Sequence, residues 1–122
     1  PFIVSAEIVV THHGRKVDGP SGAAIGTAEA MIRREGGWAA DPTTHELLEG
    51  SRGGLGPNGV RIHSVRMRGM VAHQEVVLGA TGQTLTIRQD SYDRTSFMPG
   101  VVLACQRVMS TEGLTVGLDS LL

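Results

Sequence analysis

Residues 3–11, dense in Ile and Val and interrupted only by Ser5, Ala6 and Glu7, constrain this chain more than any other segment. So much β-branched apolar side chain in one short run predicts a strand buried on both faces. What packs on it must be aliphatic. Hydrophobic residues make up 40% of the chain but aromatic ones only 3%, so the core is built of Val, Ile, Leu, Ala and Met.

The rest of the chain follows by pattern. Residues 12–20 are a polar loop containing Gly and Pro. Ser21 opens a helix through Ala23, Ala24, Ile25, Ala28, Met31 and Ile32 that ends near Glu35, before Gly36 and Gly37. Gly22 and Gly26 on one side would let that helix lie close to a sheet. Residues 36–59 form a long loop with one helical turn at 44–49; loops of this length usually carry function or move. Strands follow at 60–68, 73–79 and 84–91, the last two joined by a tight turn at Thr81 and Gly82. A final helix covers 96–109 with Pro99 in its first turn, and an apolar tail, 114–122, is suited to docking. With a right-handed crossover between the first two strands and an antiparallel meander of the last three, the class is α+β. We expect a mixed, partly antiparallel sheet of about four strands with two helices on one face, as one domain spanning 1–122. The uncovered face predicts self-association through the sheet.

Composition excludes several classes. The net charge of −1 leaves no basic field for nucleic acid, and no apolar run approaches the ~20 residues of a membrane span. The single cysteine, Cys105, rules out an internal disulfide and a CxxC site, and in its apolar helical setting it reads as a small buried hydrophobe. These features suit a cytoplasmic protein. The chain opens on Pro1 directly ahead of a strand, as expected of a piece of a longer polypeptide or of a processed one.

Chemistry concentrates in Thr11-His12-His13-Gly14-Arg15-Lys16-Val17-Asp18-Gly19-Pro20-Ser21-Gly22. A loop that leaves a buried strand and enters a helix is where open sheets bind ligands. The Ser21, Gly22 and Ala23 amides are orphan donors at a helix start and favour an anion. Lys16 is the only Lys among eleven basic residues. With one or both imidazoles it makes a small cationic pocket suited to a dicarboxylate, equipped with groups that move protons near neutral pH. Ordinary loop histidines remain an open alternative. Metal binding is disfavoured, because adjacent residues of an extended chain point to opposite sides and no third ligand stands at a useful spacing. Neither a P-loop nor a GxGxxG fingerprint between strand and helix occurs.

The HHxxKxDxPSG pattern resembles the signature of the 4-hydroxy-tetrahydrodipicolinate reductase (dihydrodipicolinate reductase) family. The likeness continues through Val65-Arg66-Met67-Arg68-Gly69, Val71-Ala72-His73-Gln74-Glu75-Val76, Leu85-Thr86-Ile87-Arg88 and Asp93-Arg94-Thr95-Ser96-Phe97. It ends in an actinobacterial-like Gly113-Leu114-Thr115-Val116-Gly117-Leu118. The resemblance implies the carboxy-terminal, substrate-binding and tetramer-forming domain of an enzyme of lysine and diaminopimelate biosynthesis. The amino-terminal Rossmann domain that binds NADH or NADPH is absent from this sequence. It implies His12 and Lys16 as proton donors or acceptors, with His13, Ser21, Gly22 and Ala23 holding the substrate carboxylates and the hydride coming from the cofactor.

Ala23 departs from the family's usual Thr. It keeps the amide but loses a hydroxyl whose hydrogen bond to a charged group is worth about 1.5–3 kcal/mol. Gly19 stands where Ala is common, and Arg15 where many members have His. Arg94 and Phe97 read either as a solvated Arg and a core Phe or as groups facing the cofactor. His45, His63 and His73 read as surface or interface residues, and Trp38 as a loop residue able to pack on a neighbouring subunit. On this reading the chain alone does not turn over. The alternative is a stand-alone, non-catalytic dicarboxylate-binding or scaffold module of the same fold, or a plain oligomeric domain with an incidental histidine pair.

Overall fold

In this computed structural model, which describes residues 2–33 and 36–122, the early apolar run forms strand β1, Ser5–His13. Ala6, Ile8 and Val10 are buried, whereas Glu7, Val9 and Thr11 are half-buried. The expectation of burial on both faces is thus corrected: within the chain only one face is sealed, because one helix covers it. That helix is α1, Gly22–Ala30. Ala24 and Ala28 are fully buried against the sheet. Gly22 and Gly26 are not the sheet-facing side, since a Cβ at either would meet no heavy atom within 4 Å. Methyl groups four residues apart still allow close approach and supply apolar contact that glycine lacks. The helix stops at Ala30, where the Asn58 carboxamide donates to the Ala28 and Glu29 carbonyls at 2.9 and 3.0 Å. The expected end at Glu35 lies outside the described residues.

Beyond the helix, Trp38 packs on the core of this same chain, and its indole N–H donates to the Met31 carbonyl at 2.9 Å. The helical turn expected at 44–49 is absent. Reverse turns close instead from Ser51 to Leu48 and from Gly53 to Gly50. Local side-chain acceptors compete with helix there: Asp41 takes the Thr43 amide and Glu46 takes the Gly50 amide. The loop also contributes a two-residue strand, β2, Gly54–Leu55, and a 3-10 turn, Pro57–Gly59.

Ion pairs fasten this loop to the sheet. Arg52 reaches Glu7 at 2.6 Å and Asp41 at 3.2 Å, Arg61 reaches Asp41 at 3.1 Å, and His63 reaches Glu7 at 2.6 Å. Burial pushes the Glu7 carboxyl up, but hydrogen bonds from Arg52 and His63 outweigh it and hold the group below its ordinary range. The Thr43 hydroxyl and amide, then Arg52, bring Asp41 down to about 2.

Strands β3 (Arg61–Met67), β4 (Ala72–Ala80) and β5 (Gln83–Ser91) complete a five-stranded mixed sheet of order β2-β3-β1-β4-β5. The expected α+β class is borne out, and β2 raises the strand count from about four to five. The meander is corrected. β3 pairs parallel with one edge of β1, while β4 pairs antiparallel with the other. Residues 68–71 therefore cross the end of β1. Four extended residues reach up to about 14 Å, enough to clear two strand spacings of about 4.8 Å each. The arrangement puts the most apolar strand at the centre. Polar β5, with Gln83, Arg88, Gln89 and Asp90, lies on an edge, where charge protects against unwanted pairing.

The first compact unit ends at Asp90 and the second spans Ser91–Leu122. Within the second, a 3-10 turn, Arg94–Phe97, leads into α2, Met98–Arg107, with Pro99 in its first turn. The tail folds back so that a Cβ on Gly100 would lie 2.9 Å from Leu118 Cδ1. Two expectations are corrected here. Cys105 is exposed rather than buried, because α2 buries none of its residues, and Phe97 is 48% exposed rather than core. His45 is exposed, and His63 is half-buried with its Nε2 2.6 Å from Glu7 Oε2. His73 is buried, its Nδ1 2.6 Å from Asp90 and its Nε2 accepting the Val71 amide.

Candidate active site at the end of strand β1

β1 runs two residues past its expected end, so His12 and His13 belong to the sheet and not to the loop. His12 sits opposite Arg66 on β3 and Ala72 on β4, and His13 opposite Met67. His12 is thus paired on both edges of β1 and His13 on one. Strand alternation then puts the two rings on opposite sides. His12 shares the parity of Ala6, Ile8 and Val10, the face covered by α1, and His13 that of Val9 and Thr11. The structure groups His12 with the loop cations; His13 joins them through its backbone carbonyl, which accepts the Lys16 amide at 3.1 Å.

Lys16 Nζ lies 2.6 Å from Asp18 Oδ1, and its side chain is only 19% exposed. The hydrogen bond from Lys16, then one from its own backbone, hold the Asp18 carboxyl below its usual range. Burial first, then the nearby charges of Lys16, Arg66 and His13, push the His12 imidazole below its ordinary value, against a smaller opposing effect of Asp18. These shared effects place His12, Lys16, Arg66 and Asp18 in one electrostatic neighbourhood. Nδ1 of His12 and Nδ1 of His13 are both buried with no hydrogen-bond partner among the described residues. An N–H there would be a buried orphan donor costing about 1–3 kcal/mol, so the neutral rings carry their proton on Nε2.

A titration checks this. The His12 ring, followed by NMR, is expected to show a midpoint below 6.5. Between its folded midpoint and about 6.5, the unfolded chain binds more protons than the folded one. His12 therefore costs no stability above about 6.5 and progressively more as pH falls through that window. A midpoint at or above 6.5 contradicts the arrangement.

At the start of α1, Ser21 is the N-cap. Its hydroxyl accepts the Ala24 amide at 3.2 Å and its carbonyl accepts the Ile25 amide at 3.1 Å. The exposed Gly22 and Ala23 amides have no acceptor among the described residues. Two of the three predicted donors are thus available, while Ser21, which is buried, shapes the turn. Arg94 and Phe97 lie in the second unit, on the 3-10 turn capped by Asp93.

Sequence reasoning missed Arg66. It donates from Nε to the Lys16 carbonyl at 3.1 Å, from Nη2 to the Asp18 carbonyl, and from Nη1 to the Val65 carbonyl at 3.0 Å. The available signal was parity: Arg66 falls in step with Ile62 on β3, a charge on the face that buries apolar residues.

Two cavities, of about 300 and 280 Å³, lie elsewhere. One is lined by Ala104, Val108, Leu114 and Leu118 and the other by Phe2, Ile3, Leu78 and Leu85. Neither has a charged lining residue. Among the described residues, the β1–α1–β3 crossover carries the His/Lys loop where a dinucleotide-binding fold has a glycine fingerprint. No helix is long and apolar enough to cross a membrane among the described residues.

Residues 2–122 match the family model described as dihydrodipicolinate reductase, C-terminus. The 4-hydroxy-tetrahydrodipicolinate reductase of Corynebacterium diphtheriae is 55% identical over 97% of this chain and 48% of its own length. That of Corynebacterium urealyticum is 52% identical over 100% of this chain and 50% of its own length. A solved structure, dipicolinate-bound dihydrodipicolinate reductase from Paenisporosarcina sp. TG-14, superposes with a TM-score of 0.80 at 41% identity, covering 99% of this chain and 46% of that one. The chain spans about half the length of the curated relatives it matches. With its signature loop seated between a central strand and a capped helix, the chain belongs to the dihydrodipicolinate reductase family, as the carboxy-terminal domain.

Proposed function

We propose that this chain is the substrate-binding and oligomerising half of a 4-hydroxy-tetrahydrodipicolinate reductase. The observation that carries this reading is the Lys16–Asp18 loop, gripped by Arg66 opposite His12 and leading into a helix start whose Gly22 and Ala23 amides have no acceptor among the described residues. Such a set offers cations and directed donors to a dianion. Dipicolinate, the ligand of the related solved structure, is a planar dianion of that kind. Gly22, Ala23 and the Ser21 turn hold one carboxylate, and His13 is assigned to carboxylate binding by family likeness. Lys16 and His12 move the proton. Burial, then the neighbouring cations, disfavour the charged form of His12; a bound dianion offsets the cations' repulsion and raises its affinity for a proton. NADH or NADPH is held by an amino-terminal Rossmann domain, in a cytoplasmic enzyme. The sheet face opposite α1, with Val9, Thr11, Val65 and Val77 half-buried, serves a homotetramer.

Titration of the chain with pyridine-2,6-dicarboxylate tests the reading. Saturable NMR shifts are expected at both imidazoles. The His12 shift should be the larger and be accompanied by a rise in its titration midpoint, since His13 leaves the strand on the other side. Absence of any shift at millimolar ligand would falsify it.

A further inference from the structure

Arg66 lies outside the HHxxKxDxPSG run, yet it touches that loop at two points. We infer that Arg66 is a positioning residue of the anion site, its guanidinium fork bracketing the loop so that Lys16 is presented from a fixed backbone. Two of its nitrogens hold the carbonyls of Lys16 and Asp18, the residues whose side chains pair at 2.6 Å. A third bond, to the Val65 carbonyl, ties the fork to β3. The unit is closed: strand, guanidinium, two loop carbonyls, and the Lys16–Asp18 pair. The loop passes so close that a Cβ on Gly19 would stand 3.0 Å from Arg66 Nη2 and 3.6 Å from Ser64 Oγ.

The chemistry selects Arg for this task. A planar fork of five donors can satisfy two carbonyls two residues apart, whereas a Lys ammonium is a point charge on a flexible stem. Lys16 itself loses rotamer freedom when it is ordered, and a backbone fixed beforehand lowers the cost of placing its ammonium on a carboxylate. Among the described residues Arg66 forms no salt bridge, and its charge acts on both the Asp18 carboxylate and the His12 ring. Its position opposite His12 puts that charge beside the proton-moving imidazole.

The inference rests on the dicarboxylate reading for its ligand, but one measurement stands apart from it. Arg66→Lys keeps the charge and removes the fork; Arg66→Met removes both. Two quantities are read on the full chain: affinity for pyridine-2,6-dicarboxylate, and hydrogen exchange of the Lys16 amide relative to the Ile8 and Val10 amides. Both variants are expected to bind about 10–100-fold more weakly, as when outer-shell partners of preorganised sites are lost. Exchange at Lys16 should accelerate while Ile8 and Val10 stay protected. Arg66→Lys with wild-type affinity and unchanged Lys16 exchange overturns the inference and leaves Arg66 as a charge only. Acceleration of all three amides together also overturns it, because Arg66 would then be a residue of the fold. Should the wild-type chain bind no dicarboxylate, the functional reading fails while the exchange measurement still decides the bracket.

Discussion

Lys16→Met in a reductase carrying this domain is expected to lower kcat by about 10²–10⁴-fold, the usual worth of a positioned general acid. Met keeps an unbranched stem of similar length, so the packing that leaves the Lys16 side chain only 19% exposed changes little. The nitrogen is what disappears. Lys16→Arg separates the two jobs assigned to this residue. Arginine keeps the positive charge and the partner Asp18 but does not release a proton in a protein. Dicarboxylate binding should stay within a few-fold of wild type in Lys16→Arg, and turnover should stay near the Lys16→Met level. Steady-state kinetics with a binding titration checks this, and in the chain by itself, where Lys16 is the only lysine, ¹⁵N-lysine labelling gives one assignable side-chain signal. Wild-type turnover in Lys16→Arg would mean that Lys16 acts through charge alone.

Ile8→Ala is expected to cost about 2–5 kcal/mol, the range for removing a buried branched aliphatic side chain and leaving a partial cavity. Ile8 is fully buried at the centre of β1, in register with Ile62 on one side and Val76 on the other, both of them buried. It belongs to the same apolar cluster as Ala24 and Ala28 of α1. Val17→Ala is the control: Val17 is 100% exposed, and substitutions at such positions usually stay within about 0.5 kcal/mol. Urea denaturation of both variants measures the difference. A loss below about 1 kcal/mol at Ile8 would remove β1 from the centre of the fold.

Much of the architecture is legible in local pattern. The Ile/Val run, the Ser21 cap, the Thr81–Gly82 turn and the proline in the first turn of α2 each state a local preference, and the structure honours each. Local pattern also misleads in particular places. Gly22 and Gly26 suggest a face for close packing, but the choice belongs to Ala24 and Ala28, because apolar contact decides which side of α1 meets the sheet. Glu7 breaks an apolar run for no reason visible nearby. Its partners, Arg52 and His63, come from 45 and 56 residues away. Arg66 is hidden in the same way, since its carbonyl acceptors at Lys16 and Asp18 lie 50 and 48 residues off.

The sequence by itself determined the mixed α+β class, the place of the chemistry between a strand and a helix start, and the family. All three rest on residues close together in the chain, whose spacing acts through local geometry. Only the tertiary structure decided that β1 lies between β3 and β4, that His12 and His13 part company, and that Arg66 grips the loop. Those outcomes depend on strand partners and register, and a strand's edges are equally able to bond with any neighbour until burial of the whole sheet selects one.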